Sequence, residues 1–266
     1  MAEGINASDC GKMKALLDNL FAPITFHVGF VECRFDQLAR AFTVWQEEID
    51  EKLGTRTETS HSSASLPDAL LKLEPLTTPL DRYLLIETRS AWTAVFSNGL
   101  SVNDVFSPVS YLPTLLGCRG LEVTSIPDRS DNGKKDGLQV YGALVFGLYG
   151  SKTTDWLNRI RRIAVTKDVN GWEFSADGKI QPYERAENYR KRRAVDRFTV
   201  DMLESYCGAL GIEVFEARSY GGQYLVSRRD TTTPPGPMMS IAEARSHLYL
   251  RDPFPRTRSM STPRHD

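Results

Sequence analysis

The densest run of chemically active side chains is RAENYRKRRAVDR, residues 185–197, with six basic and two acidic residues. Arg190, Lys191, Arg192 and Arg193 are consecutive, Arg185 stands just before them, and Tyr183 and Tyr189 are interspersed. Two chemistries fit this mixture. An acidic protein surface would be met by Arg and Tyr, which are typical interface anchors. A nucleic acid would offer phosphates to the arginines and bases for the tyrosines to stack on. The plain alternative is a solvated helix start. The chain carries 33 basic and 34 acidic residues, for a net charge of -1, so nothing global points to nucleic acid or a membrane surface. Four cations before a helix expected near Asp196 gain nothing from its macrodipole. The expectation is an exposed contact surface made by Tyr183, Arg185, Tyr189, Arg190, Lys191, Arg192 and Arg193. Its favoured partner is an acidic protein, with nucleic acid ranked second.

Catalytic equipment is sparse in the sequence. A P-loop needs glycines at fixed positions before Lys-Ser/Thr, and the nearest match, ending Lys152-Thr153, has Phe146 and Ser151 in their places. Zinc needs clustered ligands, but His61 falls in a polar segment, His247 and His265 fall near the C-terminal end, and only His27 sits in an expected strand. For His27 a structural role outweighs a catalytic one. Cys10, Cys33, Cys118 and Cys207 are few and widely spaced, so no disulfide framework is expected and a reducing cytosol is the simpler setting. Cys118 and Cys207 fall at C-terminal sides of helices, where the dipole disfavours a thiolate. They read as small buried hydrophobes. Residues 97–107 offer Asn98, Asn103, Asp104 and Ser107 before a helix. Capping explains them better than anion binding, since Asp104 would repel an anion. No cofactor and no metal are expected.

These residues need elements to hold them. Residues 25–35 alternate as a strand does, and Leu38, Phe42, Trp45, Ile49 and Leu53 then recur on one helical face until Gly54. Residues 54–66 are Ser/Thr-rich and read as a linker. Further on, a strand–strand–helix–strand–strand order occurs twice. Its tentative halves span 80–150 and 151–229, with Trp92 echoed by Trp172 and each helix closed by Leu-Gly. In the first, Ser107 caps a helix containing Pro113, which removes a backbone donor.

The expected architecture is α+β: antiparallel-rich sheet with flanking helices, two ββαββ units and an added N-terminal strand–helix unit. A loose stretch covers 1–12, a compact body 13–229, and a Pro/Arg-rich mobile tail 230–266, with a short helix at 240–249. The leading functional expectation is a cytosolic protein-binding module. Bacterial toxin-neutralising immunity proteins are one such type, though no motif here establishes the analogy. The alternative is a hydrolase or transferase with a dispersed site, and the third is weak nucleic-acid binding through 185–197.

Overall fold

A computed structural model describes residues 14–100, 105–128, 140–152, 158–230 and 236–248. The expected loose stretch 1–12, Asn103 and Asp104, and the tail beyond 248 lie outside them. Among the described residues nine strands form one antiparallel sheet: β1 (His27–Val31), β2 (Arg56–Ser65), β3 (Arg82–Thr88), β4 (Thr93–Ser97), β5 (Gly120–Ile126), β6 (Ala143–Tyr149), β7 (Arg159–Asp168), β8 (Gly171–Gly178) and β9 (Tyr220–Asp230). Their order is β2-β9-β3-β4-β1-β5-β6-β7-β8. The helices are α1 (Phe35–Leu53), α2 (Leu66–Leu70), α3 (Phe106–Leu116), α4 (Val200–Ala209) and α5 (Ile241–His247). The chain is α+β, with an antiparallel sheet and flanking helices. Among the described residues no helix is long and apolar enough to cross a membrane.

Period-two alternation divides the sheet's side chains between two cores. Phe30, Ile86, Phe96, Val123, Phe146 and Ile163 point to one face, where Leu70, Leu203, Tyr206 and Ile241 cover them. Val31, Leu85, Val95, Tyr149 and Leu225 point to the other, under Leu38, Phe42, Val109 and Leu112 of α1 and α3. Helix α1 buries Phe35, Leu38, Ala39, Phe42 and Gln46, whereas the expected stripe member Leu53 is 62% exposed. Gly54 ends it with φ 66°, a left-handed conformation that glycine adopts without strain. Helix α3 lies against β5 so closely that a Cβ on Gly120 would stand 1.9 Å from the Val109 carbonyl oxygen.

Four expectations need correction. Residues 54–66 are not a linker: Arg56–Ser65 pairs along its whole length with β9, from Arg56 opposite Asp230 to Ser65 opposite Gly221. It lacked an apolar alternation because both of its faces are largely exposed. The two halves are not matching units. Ile212 and Val214 are buried but lie outside any strand, and β9 inserts between β2 and β3, across the sheet from β7 and β8. Trp92 is buried and donates its indole N–H to the Leu210 carbonyl at 2.9 Å, while Trp172 sits half-buried on the edge strand β8. The strand–helix unit is no appendage, since β1 lies between β4 and β5. Helix α3 begins at Phe106 with Val105 as N-cap, two residues earlier than a Ser107 cap would place it.

The tail also departs from its expected looseness in part. The expected short helix is present as α5, opened by a capping box between Ser240 and Glu243. Ile241 and Ala244 are buried, Met239 bridges Leu76, and the Ile241 amide donates to Glu74 Oε1 at 2.7 Å.

Candidate functional site

The basic segment follows the edge strand β8 and precedes α4. It contains only two short 3-10 turns, Ala186–Arg190 and Ala194–Asp196. Such a stretch needs side chains to fix it, and it has a buried set. Arg161 projects from β7 on the same face as Ile163 and Val165. Its Nε donates to Glu184 Oε1 at 2.9 Å and its Nη2 to Glu184 Oε2 at 2.7 Å. Side-chain exposure is 3% for Arg161 and 0% for Glu184. Arg161 Nη1 also donates to the Gly178 carbonyl at 3.0 Å. The Gln181 amide and the Tyr189 hydroxyl complete the Glu184 carboxylate at 2.8 and 2.7 Å. From α4, the Tyr206 hydroxyl accepts from the Arg185 amide at 2.8 Å. Burial, the largest single influence, would lower the Arg161 pKa, but the bond to Glu184, its charge and the Tyr189 hydroxyl together outweigh it and hold the guanidinium charged.

The tyrosines therefore serve inward. Tyr189 bonds Glu184, lies 3.3 Å from the Tyr206 hydroxyl, and carries the Arg161 guanidinium 5.8 Å from its ring centroid. Tyr183 packs edge-on to Phe146 and against Tyr206. Burial pushes both phenols upward in pKa. The expectation that Tyr183 and Tyr189 are outward anchors is corrected on that ground. They are apolar rings beside an apolar core, and burying them outweighs exposing them.

The cations do point outward. Arg185, Arg190, Lys191, Arg192 and Arg193 are all exposed. Arg193 reaches Asp196 at 3.7 Å. Arg197 donates to the Lys191 carbonyl at 2.7 Å and lies 5.7 Å from the Phe174 ring centroid, which pins the backbone from its far end. The helix expected near Asp196 begins at Val200, with Thr199 as its cap. Sequence reasoning missed Arg161 and Glu184. A usable signal existed, because Arg161 occupies an apolar-parity position in the run Arg161, Ile163, Val165.

A cleft of about 540 Å³ opens between the β3–β4 turn and the end of α4. Thr88, Arg89, Ser90, Gly211, Glu213 and Ser219 line it. There the Ser219 hydroxyl donates to the Glu213 carboxylate, so the two most reactive groups satisfy each other. Among the described residues no group of His, Cys, Asp and Glu could hold a metal ion.

No family model matches this chain, and no curated protein or solved structure does either. The reading of its surface therefore rests on its own geometry.

His27 proves to be a packed histidine. Its Nδ1 lies 2.9 Å from Thr124 Oγ1, and burial lowers its pKa to about 4. The ring is neutral in the fold, whereas the unfolded chain titrates near ~6.5. Protonation therefore favours unfolding as pH falls between those two values, and the contribution is fully present only above the upper one. The ring is not completely enclosed, so about 2 kcal/mol is expected to be lost between pH 7 and 4 from this residue. Urea titrations across that range should show the loss, and His27→Gln should flatten it. An unchanged slope in the variant would assign the acid sensitivity elsewhere.

Proposed function

We propose that the chain is a cytosolic protein-binding module that docks an acidic partner on the exposed cations of residues 185–193. A toxin-neutralising partner protein belongs to that class. The observation that carries the reading is a backbone fixed from beneath by the buried Arg161–Glu184 pair while five cationic side chains face solvent. A fixed backbone lowers the ordering cost of association. Arginine favours bidentate contact with carboxylates. Ile180, 55% exposed beside this segment, offers an apolar contact of the kind a polar rim surrounds. With Tyr183 and Tyr189 turned inward, the segment lacks the stacking rings that single-stranded nucleic acid would use, so a protein partner is favoured.

The test replaces Arg190, Lys191, Arg192 and Arg193 with Ser together. Unfolding free energy is expected to change by less than about 1 kcal/mol, because exposed charges contribute little. Affinity capture from the native cell should retain a protein with the parent chain and lose it with the variant. Association with that protein should slow by about tenfold or more at low salt. Equal capture by both chains would refute the surface. A captured nucleic acid with a steep log-linear salt dependence would refute the class of partner.

A further inference from the structure

The cleft between the β3–β4 turn and the end of α4 is lined by two opposite charges that do not pair with each other. Arg89 reaches it from the turn. Among the described residues its exposed side chain makes no hydrogen bond or ion pair. Glu213 reaches it from the segment after α4. One of its carboxylate oxygens accepts from the Ser219 hydroxyl, and the other has no described partner. Ser219 ties the two charged residues together, because its carbonyl accepts from the Arg89 amide at 2.9 Å. A guanidinium and a free carboxylate oxygen thus come from either side of one residue.

The frame around these charges is fixed. In the turn, the Thr88 hydroxyl donates to the Trp92 carbonyl, and Thr88 Oγ1 accepts from the Ser90 amide at 3.2 Å. The Trp92 indole ties the turn to Leu210 at the end of α4, and the Tyr220 hydroxyl donates to the Val214 carbonyl at 2.7 Å. Groups positioned before a ligand arrives lose less freedom on binding. The floor is apolar: Phe30, Ile212 and Tyr220 line the cleft and are nearly wholly buried, with the Phe30 and Tyr220 rings 6.1 Å apart. Helix α4 ends at the cleft with Gly208 in its last turn, and a helix C-terminus favours a cation. A volume of about 540 Å³ is that of a small-molecule site, which joins an apolar lining to a few placed polar groups.

We propose that this cleft binds a small zwitterion with an apolar side chain, of the amino-acid or dipeptide class. The ligand carboxylate meets the Arg89 guanidinium, whose planar fork suits bidentate contact. The ligand ammonium meets the free Glu213 oxygen beside the carbonyl end of α4. The apolar side chain lies over Phe30, Ile212 and Tyr220. A plain carboxylic acid would answer Arg89 and face Glu213, and a plain amine would answer Glu213 and face Arg89, so neither satisfies both. The site stands apart from the exposed cations of residues 185–193, which precede α4.

The experiment titrates the full chain with L-leucine, L-phenylalanine and leucyl-leucine, by calorimetry and ligand-observed NMR. At least one of the three should bind with a dissociation constant below about 1 mM. Binding of the dipeptide alone would mark a peptide source, and binding of leucine or phenylalanine the free amino acid. For whichever binds, its amide and its N-acetyl form should each bind about tenfold or more weakly, since each loses a charge-assisted hydrogen bond. Glycine, with no side chain for the floor, should also bind about tenfold or more weakly. Arg89→Ala and Glu213→Gln should weaken the parent ligand to the same degree. In Gly208→Leu the new Cβ meets no atom within 4 Å, so the fold is kept while the cleft is narrowed, and binding should again fall. No binding of any of the three at about 10 mM would overturn the site. Equal affinity for the parent ligand and either blocked form or glycine would do the same, as would unchanged affinity in all three variants. The titrations of the parent chain decide the question even if a variant fails to fold.

Discussion

Replacing Glu184 with Ala is expected to lower the unfolding free energy by about 3–5 kcal/mol, the cost of leaving a buried charge without its partner. The Arg161 guanidinium would keep only the Gly178 carbonyl and the Tyr189 ring. The Gln181 amide and Tyr189 hydroxyl would lose their acceptor as well. In a chain of this size the midpoint of thermal unfolding should fall by roughly 10 °C. The double variant Arg161→Met with Glu184→Leu should recover much of the loss, because apolar side chains of similar volume can replace a buried ion pair at little net cost. Urea denaturation of Arg161→Met, Glu184→Leu and the double gives the coupling directly. A loss of less than about 1 kcal/mol in Glu184→Ala would mean that water reaches the pair, and the fixed platform beneath the exposed cations would go with it.

The second large effect is expected at Gly120. An added Cβ there would lie 1.9 Å from the Val109 carbonyl oxygen and 2.9 Å from Pro113 Cγ. Neither can swing aside, since one is helix backbone and the other a proline ring inside α3. Gly120→Ala must therefore separate α3 from β5, opening the core around Val109 and Leu112. About 3 kcal/mol or more should be lost, at or above the upper end of overpacking effects. Gly117, three residues earlier, is the control. It has φ 68° with no atom within 4 Å of an added Cβ, so Gly117→Ala meets backbone strain alone and should cost about 1 kcal/mol. Equal losses at the two positions, measured by denaturant titration, would show that the helix and strand are not held at this separation.

Helix α1 was readable because it buries one face, and burial of one face imposes a period. Strands β1, β3, β4 and β6 are buried on both faces and were readable as short apolar runs bounded by turns. Strand β2 was not readable, since neither of its faces is buried and its order comes from pairing with β9, which no local pattern announces. The apparent repeat came from words that look alike but do different work, Phe96-Ser-Asn-Gly99 and Phe174-Ser-Ala-Asp-Gly178. In the first, Asn98 is fully buried, accepts from the Asp81 and Arg82 amides, and donates to the Pro75 carbonyl. In the second, the corresponding Ala176 and Asp177 lie exposed on an edge strand. Within the candidate surface, the arginines were legible because charge seeks water wherever the backbone runs. The directions of Tyr183 and Tyr189 were not, because an irregular segment has no periodicity from which to infer facing.

The place of β9 has a consequence for the order in which the protein can assemble as it is made. β9 is the partner of both β2 and β3, yet it is the last of the described strands to be translated. About 155 residues separate Ser65 from Tyr220, which at about 5–20 residues per second is roughly 8–30 s on the ribosome. Through that interval β3 can pair with β4, but β2 has α1 beside it, through Thr57 to Asp50 and His61 to Phe35, and its described strand partner is still to come. Its sequence, RTETSHSSAS, suits the wait: an apolar strand left bare for so long would seek other nascent chains, whereas this one stays hydrated until its partner emerges.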